Sequence, residues 1–392
     1  MQAGKNLTSE QIAPEGTYPV YGGNGIRGFF SDYNCDGQFL TVGRQGALCG
    51  NVHKINGKVW ATEHAVITTP SSYTILDFLY YLLIGMDLNQ YVSSTAAQPG
   101  LAVGTLLNLK TCYPCSTLEQ TQISNYLNAK CSEIDVMLTK TRSSIEEYKK
   151  LKQAVITRAV TKGVRGEQEM KDSGVEWIGE IPKTWIISNI GRFCFVTKLA
   201  GFEYTKEMDG HISPYGDVPI VRAQNIKMGR FIPNTREYIS LALSQKLSRC
   251  ALNEKCLIIT FIGTGIGEVA LFSDATRHHL APNVAKIVIN HDMKQFLDDR
   301  FLLYFLMSSA GQEEVNKIKK ATAQPSLSMQ TIRSIKLAFP STLQEQKEIA
   351  DFLDAKCAEI DKLIAKKEQL VKELESYKKS LIYEVVTGKR EV

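Results

Sequence analysis

One stretch of this chain is written twice. Residues 114–161 recur at 340–387 in the same register, 226 positions later, without an inserted or deleted residue. In the first copy Ile123, Leu127, Ala129, Lys130, Cys131, Glu133, Ile134 and Asp135 run as IxxxLxAKCxEID, and Ile349, Leu353, Ala355, Lys356, Cys357, Glu359, Ile360 and Asp361 repeat the pattern. That period is far longer than a solenoid unit, so it indicates two duplicated modules rather than an array.

Each copy predicts one long helix. Alternating steps of three and four give Leu127, Cys131, Ile134, Leu138, Thr141, Ile145, Tyr148, Lys152 and Val155 in the first. The second gives Leu353, Cys357, Ile360, Ile364, Lys367, Val371, Leu374, Lys378 and Leu381. An average spacing of 3.5 places these side chains on one narrow stripe, the seam of a coiled coil. Ser116 with Glu119, and Thr342 with Glu345, have the S/T-x-x-E spacing of a capping box. A helix of about 45 residues spans roughly 65–70 Å, the length of a spacer. A single such stripe would suit an ordinary dimerisation or bundle helix. Two matched stripes in one chain can also pack on each other, and antiparallel packing would leave whatever precedes each helix at opposite ends. The polar lapses Thr141, Lys152, Lys367 and Lys378 mark places where that pairing is expected to weaken, or where another protein could sit.

The chain outside the repeats divides to match. Residues 1–113 read as a mixed α/β module with strand-like runs at 18–21, 38–42 and 65–68, glycine turns at Gly22-Gly23, Gly43, Gly46 and Gly50, and a helix over 75–83. Residues 166–339 carry the same order. Val218-Pro219-Ile220 answers Tyr18-Pro19-Val20, the turn Gly263-Thr264-Gly265-Ile266-Gly267 answers 43–50, and Phe301-Leu302-Leu303-Tyr304 answers Phe78-Leu79-Tyr80-Tyr81. From Ala97-Gln98-Pro99, matched by Ala323-Gln324-Pro325, the offset becomes that of the helices. The duplicated unit is therefore module plus helix, giving blocks 1–113, 114–165, 166–339 and 340–392. The second module opens with DSGVEWIGEIP at 172–182 and Trp185, which nothing precedes Tyr18 to match; the first lacks about thirty opening residues of its sibling, a strand among them.

Composition narrows the setting. A net charge of +5 permits a polyanionic partner without requiring one. The longest apolar run, 78–84, is too short to cross a bilayer, and no charged-then-apolar leader opens the chain, so a cytoplasmic location and no membrane partner are expected. Nine scattered cysteines, two of them in the helix stripes, fit a reducing compartment. Cys112 and Cys115 form a lone C-x-x-C whose counterparts are Ala338 and Ser341, so no metal site is expected there.

The order module, long helix, module, long helix, the EIDxxxxK run, the helix entered through Pro-x-x-x-x-x-Gln and the segment DSGVEWIGEIP together resemble the specificity subunit of type I restriction-modification systems. The resemblance implies two mixed α/β target-recognition domains separated by two long antiparallel coiled-coil helices. It further implies that each domain reads half of a bipartite, asymmetric site on double-stranded DNA. The helices would set the gap and dock two modification (methyltransferase) subunits, which carry S-adenosylmethionine; restriction (translocase and nuclease) subunits complete the complex. No cofactor and no catalytic residue is expected in this chain.

DNA reading needs phosphate contacts for register and base-edge contacts for sequence. Candidates in the first module are Arg27, Arg44, Gln45, Lys54 and Lys58, near glycine turns; in the second, Arg222, Gln224, Asn225, Lys227, Arg230, Thr264, Arg277, His278 and His279. The helix-pair and partner interface is expected at Leu127, Cys131, Ile134, Leu138, Ile145, Tyr148, Leu353, Cys357, Ile360, Ile364, Val371 and Leu374. A competing chemistry is Phe261-Ile262-Gly263-Thr264-Gly265, which fits the F-x-G-x-G loop of methyltransferases. Val269-Ala270-Leu271-Phe272, just beyond that loop, reads as a strand, and no N-P-P-[FYW] or D-P-P-Y is present to hold a flipped adenine, so a hairpin turn is expected. The alternative to a DNA reader is a coiled-coil scaffold holding two ligand modules unrelated to nucleic acid.

Overall fold

The computed structural model describes residues 1–46, 49–92, 100–320 and 326–392. Four helices organise the chain: α1 (Leu76–Gly85), α2 (Thr117–Lys162), α3 (Asp299–Met307) and α4 (Leu343–Val386). The long helices α2 and α4 are the two copies of the repeat, at 46 and 44 residues. Two compact units emerge, Met1–Ser144 with Lys366–Val392, and Ile145–Ala365. They cut across the sequence blocks because each unit combines one module with the first part of one long helix and the last part of the other.

In the first unit the strands Gln2–Ala3, Ala65–Thr68, Gln38–Gly43 and Val52–Asn56 form one antiparallel sheet in that order. Its middle strand is apolar on both faces, for a reason visible in the packing. Leu40, Val42, Val52 and Val66 face Leu83 of α1, whereas Phe39, Ile55 and Ile67 face Val59 and also Ala61 of a second sheet. That second sheet pairs Tyr18–Gly22 antiparallel with Gly25–Phe30 and parallel with Trp60–Ala61.

The second unit repeats the plan. Its main sheet runs Cys194–Lys198, Val284–Ile289, Cys256–Thr260 and Val269–Phe272, and Val218–Val221 pairs parallel with His278–Leu280 in the other sheet. Leu257, Ile259 and Ile287 pack with Phe301, Leu302 and Phe305 of α3; Ile258 packs with Ile220 on the opposite face. The second unit also has the hairpin Met170–Asp172 with Glu180–Pro182, a buried Trp185, and Ile186–Asn189 paired with Lys336–Phe339. Among the described residues the first unit has no counterpart of these: Tyr113 is 45% exposed where Phe339 is 2% exposed. The edges of the two main sheets can be compared directly. Gln2–Ala3 holds the edge position that Cys194–Lys198 holds in the second unit.

Within each unit the paired helix segments run antiparallel. Asp135 meets Lys378 and Arg142 meets Glu375 in the first unit; Lys152 meets Asp361 and Arg165 meets Glu348 in the second. Asp135–Lys378 and Asp361–Lys152, both at 2.7 Å, are one pair made twice, since their residues correspond through the 226-residue offset. The expectation that Lys152 and Lys378 weaken the seam is therefore corrected. Their aliphatic stems cover the stripe while each ammonium reaches a carboxylate on the facing helix. Leu127, Cys131, Ile134, Leu138 and Ile145 are buried, as are Leu353, Cys357 and Ile360; Tyr148, Ile364, Val371 and Leu374 are half-buried. The capping boxes form by half. Glu119 and Glu345 each donate a backbone N–H to the Ser116 or Thr342 hydroxyl at 3.4 Å, but the buried Glu345 carboxylate accepts from the Trp185 indole instead. The motifs Ala97-Gln98-Pro99 and Ala323-Gln324-Pro325 lie outside the described residues.

Burial raises the Cys131 and Cys357 thiols above their ordinary range and pushes Cys194 and Cys256 up to about 12 and Cys250 up to about 11, so none of these forms thiolate near neutral pH. Cys112 and Cys115 are exposed. Native alkylation at pH 8 followed by mass mapping is expected to label Cys112 and Cys115 and to spare Cys131 and Cys357 until denaturant unfolds the helices; rapid labelling of either seam cysteine would contradict this packing.

Candidate nucleic-acid interface

Both main sheets carry the same glycine turn. Residues 44–46 and 49–50 are the described part of the turn between Gln38–Gly43 and Val52–Asn56, and 261–267 connect Cys256–Thr260 to Val269–Phe272. Gly50 N–H donates to the Gly43 carbonyl at 2.8 Å, and Gly267 N–H to the Thr260 carbonyl at 2.9 Å. The amides of Arg44 and Phe261 reach the carbonyls of His64 and Asn283, and the amides of Leu101 and Leu327 reach the carbonyls of Arg44 and Phe261. Gly46, Gly50, Gly263 and Gly267 have φ between 90° and 100°, a region that side chains disfavour. The F-x-G-x-G run is therefore a hairpin turn between antiparallel strands, and no helix amino end comes after it to receive a nucleotide. Gln45 and Thr264 stand exposed on the two turns.

The fourteen DNA-contact candidates separate by burial and partner. Arg27, Gln45, Lys58, Gln224, Lys227, Arg230 and Thr264 are exposed. Lys58 lies over the Tyr33 ring at 4.4 Å, and Lys227 is 3.4 Å from Glu268. Six others are engaged by partners within the fold. Lys54 pairs with Asp77 at 2.8 Å and covers the Tyr80 ring. Arg222 is paired with Glu237, and the Arg277 guanidinium donates to the hydroxyl and carbonyl of Ser244. Asn225 is buried with its amide donating to the carbonyls of Ile232 and Asn234 while its oxygen accepts from Arg222 N–H. His278 is buried with Nδ1 near the Thr276 carbonyl, and His279 is 0% exposed with both ring nitrogens near backbone carbonyls. Burial holds the His279 pKa below its usual value.

Arg44 is partly buried, and its Nε has no partner among the described residues. Beside it lie two residues that sequence reasoning missed. The carbonyl of His64 holds the Arg44 amide, and His64 Nε2 is 3.1 Å from Glu63; His64 Nδ1 and Glu63 Oε2 have no partner among the described residues. Arg44 and the pair Glu63 and His64 thus lie on segments joined by that backbone hydrogen bond, each with a buried polar atom that has no partner among the described residues. The second module has Phe261, Pro282 and Asn283 in these positions, so only the comparison of the modules exposes the difference.

The helix seam continues into the joint between module and helix. Gln120 and Gln346, both 0% exposed, perform one task in the two units. Gln120 Oε1 accepts from Ile75 N–H at the start of α1, and its amide donates to the carbonyls of Tyr73 and Pro114. Gln346 accepts from Asp298 N–H at the start of α3 and donates to the carbonyls of Phe296 and Pro340. One buried amide thus satisfies an orphan donor of one helix and two loop carbonyls, which fixes where the module sits. The glutamine of the Pro-x-x-x-x-x-Gln entry is this clamp.

Comparison with known sequences decides the family. The family model described as "Type I restriction modification DNA specificity domain" matches residues 1–147 and 182–373. The chain belongs to this specificity family. Over 118 residues it is 45% identical to the type I restriction enzyme EcoprrI specificity subunit of Escherichia coli, an overlap of 29% of each chain. It is 25% identical over 275 residues to the MjaVIII specificity subunit of Methanocaldococcus jannaschii, covering 69% of this chain and 60% of that one. The chain therefore spans less than two thirds of the length of these two relatives. Among solved structures, a chain from "Structural basis underlying complex assembly and conformational transition of the type I R-M system" superposes with a TM-score of 0.69 at 11% identity, over 90% of this chain and 82% of that one, a likeness of fold. A scaffold reading unrelated to nucleic acid finds no support in these matches. No helix among the described residues of this specificity-family chain is long and apolar enough to cross a membrane.

Removing the clamp strands three buried polar groups. Gln346→Ala is expected to destabilise the second unit by about 3 kcal/mol. Gln346→Glu should cost at least as much, because an acceptor would then face two carbonyls. Denaturant titration followed by Trp185 fluorescence measures both, and a loss under about 0.5 kcal/mol would show that the clamp is not needed.

Proposed function

We propose that this chain is the DNA-reading subunit of a type I restriction-modification complex. Each module reads one half of a bipartite site on double-stranded DNA, and the paired helices set the gap. The helices also dock two modification subunits, which bind S-adenosylmethionine and methylate adenine, and restriction subunits join to translocate and cleave. The observation that carries this reading is the module-plus-helix unit built twice on the same glutamine clamp, in a chain of the specificity family. Two fixed half-sites require two readers on one rigid spacer, as dimeric repressors require half-sites spaced by their own geometry.

Within the modules, Gln45 and Thr264 on the paired turns, Arg44 with Glu63 and His64, and the exposed Arg27, Lys58, Gln224, Lys227 and Arg230 are the proposed contacts. Arginine suits guanine and glutamine suits adenine in the major groove, and lysines suit phosphate. Lys58→Ala is expected to weaken binding on any sequence and to lower the slope of log K against log salt by about one unit per lost phosphate contact. An unchanged slope removes Lys58 from the interface. A binding constant that does not vary with salt overturns the DNA reading.

The spacer can be tested separately. Because the seam is antiparallel, a heptad must enter both helices at facing points, after Leu138 in α2 and after Leu374 in α4. Such a chain is expected to recognise the same half-sites with a gap longer by about three base pairs, from about 10 Å of added helix. Methylome sequencing reads both halves and the gap together; an unchanged gap with intact half-sites would overturn the spacer role.

A further inference from the structure

Nearly every contact that seats a module on its long helix is the same in the two units. The glutamine clamp recurs, and so do the apolar seats Leu127 and Leu353, and Cys131 and Cys357. The Tyr81 hydroxyl donates to Asn128 at 2.8 Å and the Tyr304 hydroxyl to Asp354 at 2.6 Å, on equivalent positions of the long helices. By these contacts alone either module would fit either helix.

The charge beside them is inverted. In the first unit Asp77 at the start of α1 accepts from Asn128 at 3.1 Å and pairs with Lys54 of the adjoining strand at 2.8 Å. In the second unit Arg300, the counterpart of Asp77, pairs with Asp351 and Asp354 of α4, both at 2.7 Å. Asn125 and Asn128 stand on α2 where Asp351 and Asp354 stand on α4, and Leu271 takes the strand position of Lys54. Three sites, one each on strand, short helix and long helix, have thus changed together.

We propose that these residues form an address that confines each module to its own long helix. The first module placed on α4 would set Asp77 against Asp351 and Asp354, three carboxylates with no cation among them but Lys54. The second module placed on α2 would face Arg300 with two neutral asparagines and lose both ion pairs. These groups are partly exposed, so each contact is weak, but a bias of about tenfold between otherwise equal seats is enough to direct folding. In a cell that makes a second chain of this kind, the same address governs which module of one chain can seat on which helix of the other. The inference concerns how the chain assembles and stands independently of what the modules read.

The test re-keys one seat in the full chain and reads each module locally by hydrogen exchange. N125D/N128D is expected to lower amide protection in α1 by about tenfold at low salt, to leave α3 unchanged, and to recover in 0.5 M sodium chloride. Adding K54L/D77R rebuilds the key of the second unit on α2 and is expected to restore protection at low salt, although K54L/D77R alone lowers it. Equal losses from K54L/D77R in both backgrounds, or no loss from N125D/N128D, would overturn the address. Should N125D/N128D not fold, the reciprocal set D351N/D354N with R300D in the second unit reads the same coupling. Additivity there overturns it equally.

Discussion

Everything in this molecule rests on the inability of either long helix to bury its apolar stripe alone. A helix of this length with one narrow apolar face is stable only when a second such face covers it. Here the cover comes from the other copy of the same sequence, running the opposite way. Each half of the seam is then closed by a module, whose short helix adds Phe78, Tyr81 and Leu82 in the first unit and Phe301, Leu302 and Phe305 in the second. In each unit the short helix and the buried glutamine join the module to the seam.

Some features of the core occur in both units and others in one. The four-stranded sheet, the parallel pair in the second sheet and the buried glutamine occur in both. The hairpin, Trp185 and the pairing with Lys336–Phe339 occur in one. In the second unit Trp185 and Arg165 both engage Glu345, joining the end of α2 to the start of α4. In the first, Glu119 stands exposed and residues 110–113, the counterparts of Lys336–Phe339, form no strand. The first module meets the long helices through α1 and the clamp.

The architecture is legible in the sequence because periodicity and exact repetition are long-range signals that many residues share. The seam and the paired glycine turns can both be read that way. Individual polar residues cannot. His278, His279, Asn225 and Arg277 look like surface donors in sequence, but short strands and tight turns leave carbonyls and amides that need partners, and these side chains supply them. Lys54 resembles a phosphate contact in sequence, whereas its role comes from Asp77 and Tyr80, which only the fold brings near. Glu63 and His64 carry no motif and become visible only when the two modules are laid residue on residue.

The lysines inside the seam separate two properties that a coiled coil usually mixes. Leucine, isoleucine and cysteine supply cohesion, which tolerates small slips because apolar contact is not directional. Lys152 with Asp361 and Lys378 with Asp135 supply phase, since a slip of one turn would carry each ammonium about 5 Å from its carboxylate. The graduations are distinct from the glue, so ionic strength can blur the vernier within each unit while leaving its two helix segments firmly stuck together.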